Sequence, residues 1–538
     1  MHGQRVAYYV CGGEDILSES PPPPGGAGPE RVPGIKFGRL FGKTQQAPHP
    51  DDTEAVIQKL AGLGKAMNDH PGDAKGDSDI PAGYTYLGQF IAHEVTHDST
   101  GDLLAANLDP NNLSTPEIDL DSLYGGEDGP ASEKHKHLYR ADGVRLKTGD
   151  TLTTGDFNLS CPNDLPRAAQ ENPDGTKTSR TRALAGDPRN DENLAVAQTH
   201  VAFIHFHNKV VSDLQAAGHP ADKLFEAARE EVIRHYQWII LYDFLPHIVR
   251  SDVLDCVMRH GLRWFKGGED GLFMPLEFSA AAFRIGHSMV RERYEWNPRR
   301  RTGSPHHRAP RLTELFMQTG FVEGGLDQKF NLKSDWIIDW RHFYDFRPLA
   351  DVPRVESGNV SKKLDTVFDL HLNTVTGFPD EKIEKMQKAI TVRNLLRGFY
   401  LGLPTGEEAA EWMGETPLTR KEVTSGPHAA LLNDPVFQGK TPLWYYILKE
   451  AELLGFGPNG TPGNRLGPVG SRIVAETLVG LVKHSSHSIL KDRDWRPAYG
   501  RRDPLSGETH FGMIDLLHSA GVVSPVSRHM EPHLWKKT

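Results

Sequence analysis

Between Gly83 and Asp98 the chain reads GYTYLGQFIAHEVTHD, a largely apolar segment that carries Gln89, His93 and His97 at intervals of four residues. Such spacing sets the three polar side chains on one helical face if the helix continues that far. His93, Glu94 and His97 also complete an HExxH pattern, in which two histidines hold zinc and the glutamate activates water. Against a zinc protease stands the sequence that follows. Thr100 and Gly101 lead into ANLDPNNLSTPE, with no HExxHxxGxxH continuation and no second helix offering a third ligand. The plainest alternative is two ordinary, partly buried histidines.

Around this segment the hydrophobic spacing is mainly helical. Apolar residues recur with a 3.6-residue period along Thr53–Met67, Glu192–Leu214 (with Asp191 as its expected cap), Leu224–Tyr242 and Leu276–Arg291. Gly88–Thr96, Glu381–Phe399, Glu407–Trp412, Pro442–Leu454 and Ser471–Val482 add further helices. Strand signals are few and short, with Val6–Val10 the first of them. The proline run from Pro21 to Gly26 suits neither a helix nor a central strand. The expected organisation is an N-terminal extension with a proline-rich linker over residues 1–60, then one large, mainly α domain over 61–538 with few short strands.

Composition narrows the function classes. A net charge of -10 with no basic stretch argues against a nucleic-acid surface. Cys11, Cys161 and Cys256 lie far apart without a CxxC, so neither a disulfide framework nor a thiolate metal site is indicated. The opening residues lack a signal-peptide apolar run, and no later segment approaches a membrane-spanning length. A cytoplasmic location is the default expectation, with signal-independent secretion left open.

Three further segments carry chemistry-bearing residues. ALAGDPRNDEN presents Arg189 and Glu192, LEFSAAAFRIGHSMV presents Arg284 and His287, and TVRNLLRGFYLGLPTG presents Asn394, Arg397 and Gly402-Leu403-Pro404. Each has a structural reading as a turn cap, a helix-dipole partner or a packed core residue. Together with the first segment, and in this order, they resemble the animal-type haem peroxidase superfamily over about Asp79 to Gly406. Gly88, Gln89, Ala92, His93 and Glu94 fall on its GQxxDHD helix. Arg189 and Glu192 fall on AGDxRxxE, Arg284 and His287 on RxGH, and Asn394 on NxxRxxxxGLP. TPLWYYILKEAE and LGPVGSRIVAETLVG look like helices of bacterial members.

The resemblance implies a catalytic set of His93, Arg189 and Gln89 on one haem face. On the other, His287 ligates the iron and Asn394 receives its second ring proton. Arg284 is expected to reach a haem propionate or a distal-side carboxylate. Ala92 stands where the family has one ester-forming aspartate, which leaves Glu192 as the sole ester candidate; the implied cofactor is haem b or singly ester-linked haem. Asn193 follows Glu192 where a sulfonium link would need methionine. STPEIDLDSLYGG resembles the family's calcium loop, making Glu94, Thr115, the Glu117 carbonyl, Asp119 and Asp121 candidate ligands. The implied reaction is reduction of hydrogen peroxide coupled to oxidation of a halide, pseudohalide or small organic donor. A fatty-acid dioxygenase is the alternative from the same fold, but it needs a tyrosine three residues before the proximal histidine, where this chain has Arg284. A non-catalytic binding protein is a third reading.

Overall fold

The computed structural model describes residues 37–41, 53–68, 76–96, 117–126, 128–171, 177–265, 272–320, 325–328, 331–368, 389–503 and 506–535. The expected Val6–Val10 strand, the proline run, His97 and Thr115 lie outside them. The described residues are mainly helical, with strands gathered in four two-stranded sheets. Three sheets are antiparallel; the fourth pairs Phe37–Gly38 in parallel with Met274–Pro275. A single large core runs from Phe41 to Val523, and a small satellite joins Phe157, Ile337 and Val526.

The Gly83–Val95 helix passes through this core, and every residue in it except Gly88 is buried. A helix buried all round needs apolar residues on every side, which explains why its sequence shows so little of a polar face. Its start is fixed from outside, as Ala82 N–H donates to the Asn359 carbonyl and Gly83 N–H to the Phe343 carbonyl. Gly83 also sits where a Cβ would lie 2.3 Å from the Tyr344 ring. At the other end Thr96 turns extended while its hydroxyl donates back to the Ala92 carbonyl at 2.6 Å.

Packed against it is the Leu194–Ala216 helix, which starts two residues later than the sequence suggests. Asn193, not Asp191, is the cap, and its side chain accepts the Val196 N–H at 3.1 Å. Asp191 is taken by Arg167 through two hydrogen bonds of 2.6 and 3.0 Å, an interaction 24 residues away in sequence. The next helix runs Leu224–Ile239 and then widens into a π-turn over Ile240–Phe244 before Leu245–Ile248.

The segment expected as one helix over Leu276–Arg291 is not continuous. It forms a π-turn at Phe278–Ala282 and then a separate short helix, Gly286–Met289. In the wide turn Phe283 N–H donates to the Phe278 carbonyl five residues back, and the two rings stack with centroids 4.4 Å apart. This break lets the chain present His287 toward the Gly83–Val95 helix, against which Gly286–Met289 packs. The Ile390–Tyr400 helix closes the far side. It lies on Thr53–Met67, which crosses residue 60, and approaches so closely that a Cβ on Gly64 would meet the Val392 backbone at 2.7 Å.

Candidate functional site

The Gly83–Val95 helix and the Phe283–Met289 segment flank a narrow cavity of about 20 Å³, walled by Gln89, Gly88 and Thr85 on one side and by Phe283, Gly286 and Met289 on the other. Phe244, from the π-turn, closes one end. Gln89, His93, Arg189, Glu192, Arg284, His287 and Asn394 are all buried.

On the Gln89 side the polar groups form one network. Gln89 Nε2 donates to Glu192 Oε2 at 2.9 Å, and Gln89 Oε1 accepts from Asn193 Nδ2 at 2.8 Å. Glu192 Oε2 lies 3.5 Å from His93 Nε2. The other ring nitrogen of His93, Nδ1, is 2.9 Å from Asn190 Oδ1, and Asn190 Nδ2 is 3.0 Å from His200 Nδ1. Burial pushes His200 down to about 4, so it is neutral at ordinary pH. Asn190 and His200 were not among the residues singled out from sequence, and Asn193 was noted only as standing where a sulfonium link would need methionine. The visible signal was an asparagine directly after Arg189 in a segment that must turn.

Arg189 does not point an uncommitted guanidinium at the cavity. Its Nε and Nη2 donate to the Asp187 carboxylate, at 2.6 Å in the shortest contact, and Nη2 also donates to the His93 carbonyl at 2.8 Å. Asp187 in turn accepts the Arg189 backbone N–H, which closes a tight Asp-Pro-Arg turn. The fork-shaped guanidinium thus ties the turn to the end of the helix that carries His93.

Next to Gly286 in the chain, His287 Nε2 is buried and has no hydrogen-bond partner. Its Nδ1 lies 3.2 Å from Asn394 Nδ2, while Asn394 Oδ1 accepts from Arg284 Nη1 at 3.1 Å. The expected donation from His287 to the Asn394 oxygen is therefore not the arrangement found, because Arg284 has claimed that oxygen. Instead the Asn394 amide nitrogen, which can only donate, faces Nδ1. Burial, and then the charges of Arg284 and Arg393, hold His287 well below its usual range. Arg284 itself turns to Asn394 and to the Ser279 carbonyl.

A buried imidazole whose Nε2 has no partner offers the ring nitrogen that a haem iron would take. At about 20 Å³ the cavity is far below the ~300–1,000 Å³ typical of ligand sites, so the fit to haem rests on the donor set and not on the room beside it.

Next to His93 the acidic residues converge. Glu94 Oε1 accepts the Asp121 N–H at 2.8 Å and Oε2 the Ser122 N–H at 3.1 Å. Burial, then the charge of Asp121, raises Glu94 to about 7, and the same causes raise Asp119 well above its usual range. Leu120 between the two aspartates adopts a left-handed φ of 60°, a strained conformation for leucine. Glu117 sends its carboxylate elsewhere, to the Ser486 N–H and hydroxyl. Among the described residues no three His, Cys, Asp or Glu side chains are disposed to hold a metal ion.

Comparison with known proteins bears on all of these residues. A family model described as animal haem peroxidase matches residues 85–331. Thyroid peroxidase of Mus musculus is 29% identical over 398 residues, which span 71% of this chain and 39% of that protein. A peroxidase-like protein of Margaritifera margaritifera is 30% identical over 149 residues, 27% of this chain and 18% of that one. The chain thus spans about two fifths or less of these curated relatives. Among solved structures, Peroxidase A of Dictyostelium discoideum matches with a TM-score of 0.59 at 15% identity, covering 91% of this chain and 94% of that one. Fatty acid alpha-dioxygenase of Oryza sativa matches with a TM-score of 0.55 at 12% identity, covering 93% and 82%. At such identities the structural likeness speaks for the fold.

Proposed function

Because the chain belongs to the animal-type haem peroxidase superfamily, we propose that it is a haem-dependent peroxidase, reducing hydrogen peroxide and oxidising a halide, a pseudohalide or a small organic donor. The observation that carries this reading is His287 Nε2, a buried nitrogen without a partner on the short helix that packs against the one carrying Gln89 and His93. His287 would hold the iron. When bound, the haem supplies the redox chemistry that splits the O–O bond and passes oxidising equivalents to the donor.

The chain's own residues handle protons and charge. With Nδ1 directed at Asn190, His93 has Nε2 to take a proton from one peroxide oxygen and return it to the other. The Arg189 cation, fixed beside the His93 carbonyl, offsets negative charge developing in the pocket while it anchors the helix. Asn193 holds Gln89, which in turn donates to Glu192, the residue that would form the single ester link. Ala92 has no oxygen for a second. Fewer links favour bromide, iodide, thiocyanate or phenols over chloride. Calcium would brace the same helix only if it drew Glu94, Asp119 and Asp121 closer together than they stand, with Thr115 and the Glu117 carbonyl.

Fatty-acid dioxygenation is less well supported. The residue three before His287 is Arg284, engaged by Asn394 and Ser279, and that reaction needs a tyrosine there. The decisive experiment is the visible spectrum of protein supplied with haem, with and without peroxide. A Soret band near roughly 400 nm for histidine-ligated ferric haem that is lost in His287→Ala is expected. A colourless wild-type protein, or an unchanged spectrum in the variant, refutes the assignment.

A further inference from the structure

We propose that Asn190 is a positioning residue that fixes which ring nitrogen of His93 carries the proton, leaving Nε2 as the proton acceptor of the site. This rests on the peroxidase reading for its purpose but not for its geometry. Asn190 is fully buried and sits between two imidazoles, with Oδ1 2.9 Å from His93 Nδ1 and Nδ2 3.0 Å from His200 Nδ1. An amide has one accepting end and one donating end, so it cannot treat two histidines alike. The oxygen accepts from His93, which must then carry its proton on Nδ1. The nitrogen donates to His200, whose Nδ1 must offer a lone pair.

Two observations favour this orientation. His200 is neutral, so it has a lone pair to offer. The competing attraction on His93 is weak: Glu192 Oε2 stands 3.5 Å from Nε2 and already accepts from Gln89 at 2.9 Å. A contact of that length falls outside the roughly 2.7–3.2 Å of a good N–H···O bond, whereas the Asn190 contact falls within it. The nearer partner wins the proton. Reversing the amide would put the proton on Nε2, where it would block the nitrogen that has to accept one.

His200 makes the arrangement rigid. It projects from the Leu194–Ala216 helix, whose start is fixed by Asn193, while Asn190 comes from the short turn just before it. Asn190 N–H also donates to the Asp187 carbonyl, so the residue is held by its backbone as well as by its side chain. The turn that supplies Arg189 thereby sets the chemical identity of His93.

Two measurements on the full chain test this. The first uses haem-free protein labelled with ¹⁵N-histidine, where the two ring nitrogens of a neutral imidazole are distinguished by NMR. His93 should be protonated on Nδ1 in the wild type and in Asn190→Asp, whose oxygen still accepts, and should lose that preference in Asn190→Ala. The second follows cyanide binding to haem-loaded protein by its spectrum, since hydrogen cyanide needs a base to take its proton as it binds. Loss of the orienting bond should slow association on the order of tenfold in Asn190→Ala, with an unaltered Soret band, and Asn190→Asp should stay within about threefold of wild type. If Asn190→Ala fails to fold, the wild-type and Asn190→Asp NMR decide alone. A proton on Nε2 in the wild type, or wild-type cyanide association in Asn190→Ala, overturns the proposal. A wild-type protein that takes up no haem would sink the peroxidase reading, and the haem-free NMR would still report on Asn190.

Discussion

His207 offers a stability measurement whose size follows from the structure. It is buried on the Leu194–Ala216 helix, with Nε2 2.9 Å from the Val144 carbonyl and Nδ1 3.0 Å from the Tyr124 hydroxyl. The neutral ring suits both contacts, donating to the carbonyl through Nε2 and accepting from the phenol at Nδ1. Burial lowers its pKa from 6.5 to about 4. Between those values the unfolded chain holds a proton that the folded chain does not, so stability falls as the pH drops. The lowering corresponds to about 3 kcal/mol in all, and about 2 kcal/mol of it is lost between pH 7 and pH 5. Glu94 and Glu450, raised to about 7 and about 8, act in the opposite direction, since the folded protein binds their protons more tightly. The overall pH profile is therefore a poor reporter, and the difference between wild type and His207→Gln is a good one. Urea unfolding followed by tryptophan fluorescence should show the variant's disadvantage shrinking by about 2 kcal/mol on going from pH 7 to pH 5. A difference that is flat across this range refutes the linkage.

Two predictions concern the cofactor and the acidic loop. Acidified-solvent extraction should leave haem bound to wild-type protein through Glu192 and release all of it unmodified from Glu192→Gln; complete extraction from both would eliminate the ester. At pH 8 calcium-loaded protein should resist urea better than chelated protein, and the advantage should shrink toward pH 5 as Glu94 takes up a proton through about 7. Equal urea midpoints with and without calcium at pH 8 would argue that the loop holds none.

Much of the fold could be read from the sequence because it depends on local spacing. Thr53–Met67 begins and ends where its apolar period does, and the short paired strands match the weakness of the strand signals. What was hidden depended on distant partners. Asp191 looks like a helix cap until Arg167 removes it from that role, and Asn193 takes its place. The proximal segment reads as one helix because its apolar residues have the right spacing, yet stacking of Phe278 on Phe283 accompanies a wide turn that breaks it. The motifs identify His93, Arg189, His287 and Asn394 but not how their hydrogen bonds are shared. Arg284 competes with His287 for one amide oxygen, and Asn190 stands between two histidines 107 residues apart in sequence. Such competition is decided in three dimensions.

Gly186 is where the distal elements meet, which makes it a test of how far positioning governs the site. A Cβ there would lie 2.4 Å from the Asp121 carbonyl oxygen, 2.7 Å from that of Ser122 and 2.9 Å from Gly125 N. All three are backbone atoms, so no side chain can swing aside. The next residue, Asp187, donates its N–H to the Ser122 carbonyl and holds Arg189, while Ser122 N–H donates to Glu94 beside His93. A methyl group at 186 must separate the Arg189 turn from the acidic loop, at a cost of about 1–3 kcal/mol. The His93 side of the pocket would loosen while His287, Arg284 and Asn394, which rest on other segments, keep their contacts. Gly186→Ala should therefore retain the histidine-ligated haem spectrum but react with peroxide at least about tenfold more slowly, because a small misplacement of a catalytic group is expensive. Loss of haem with peroxide reactivity unchanged per bound haem would reverse that order and show that this glycine serves the proximal side instead.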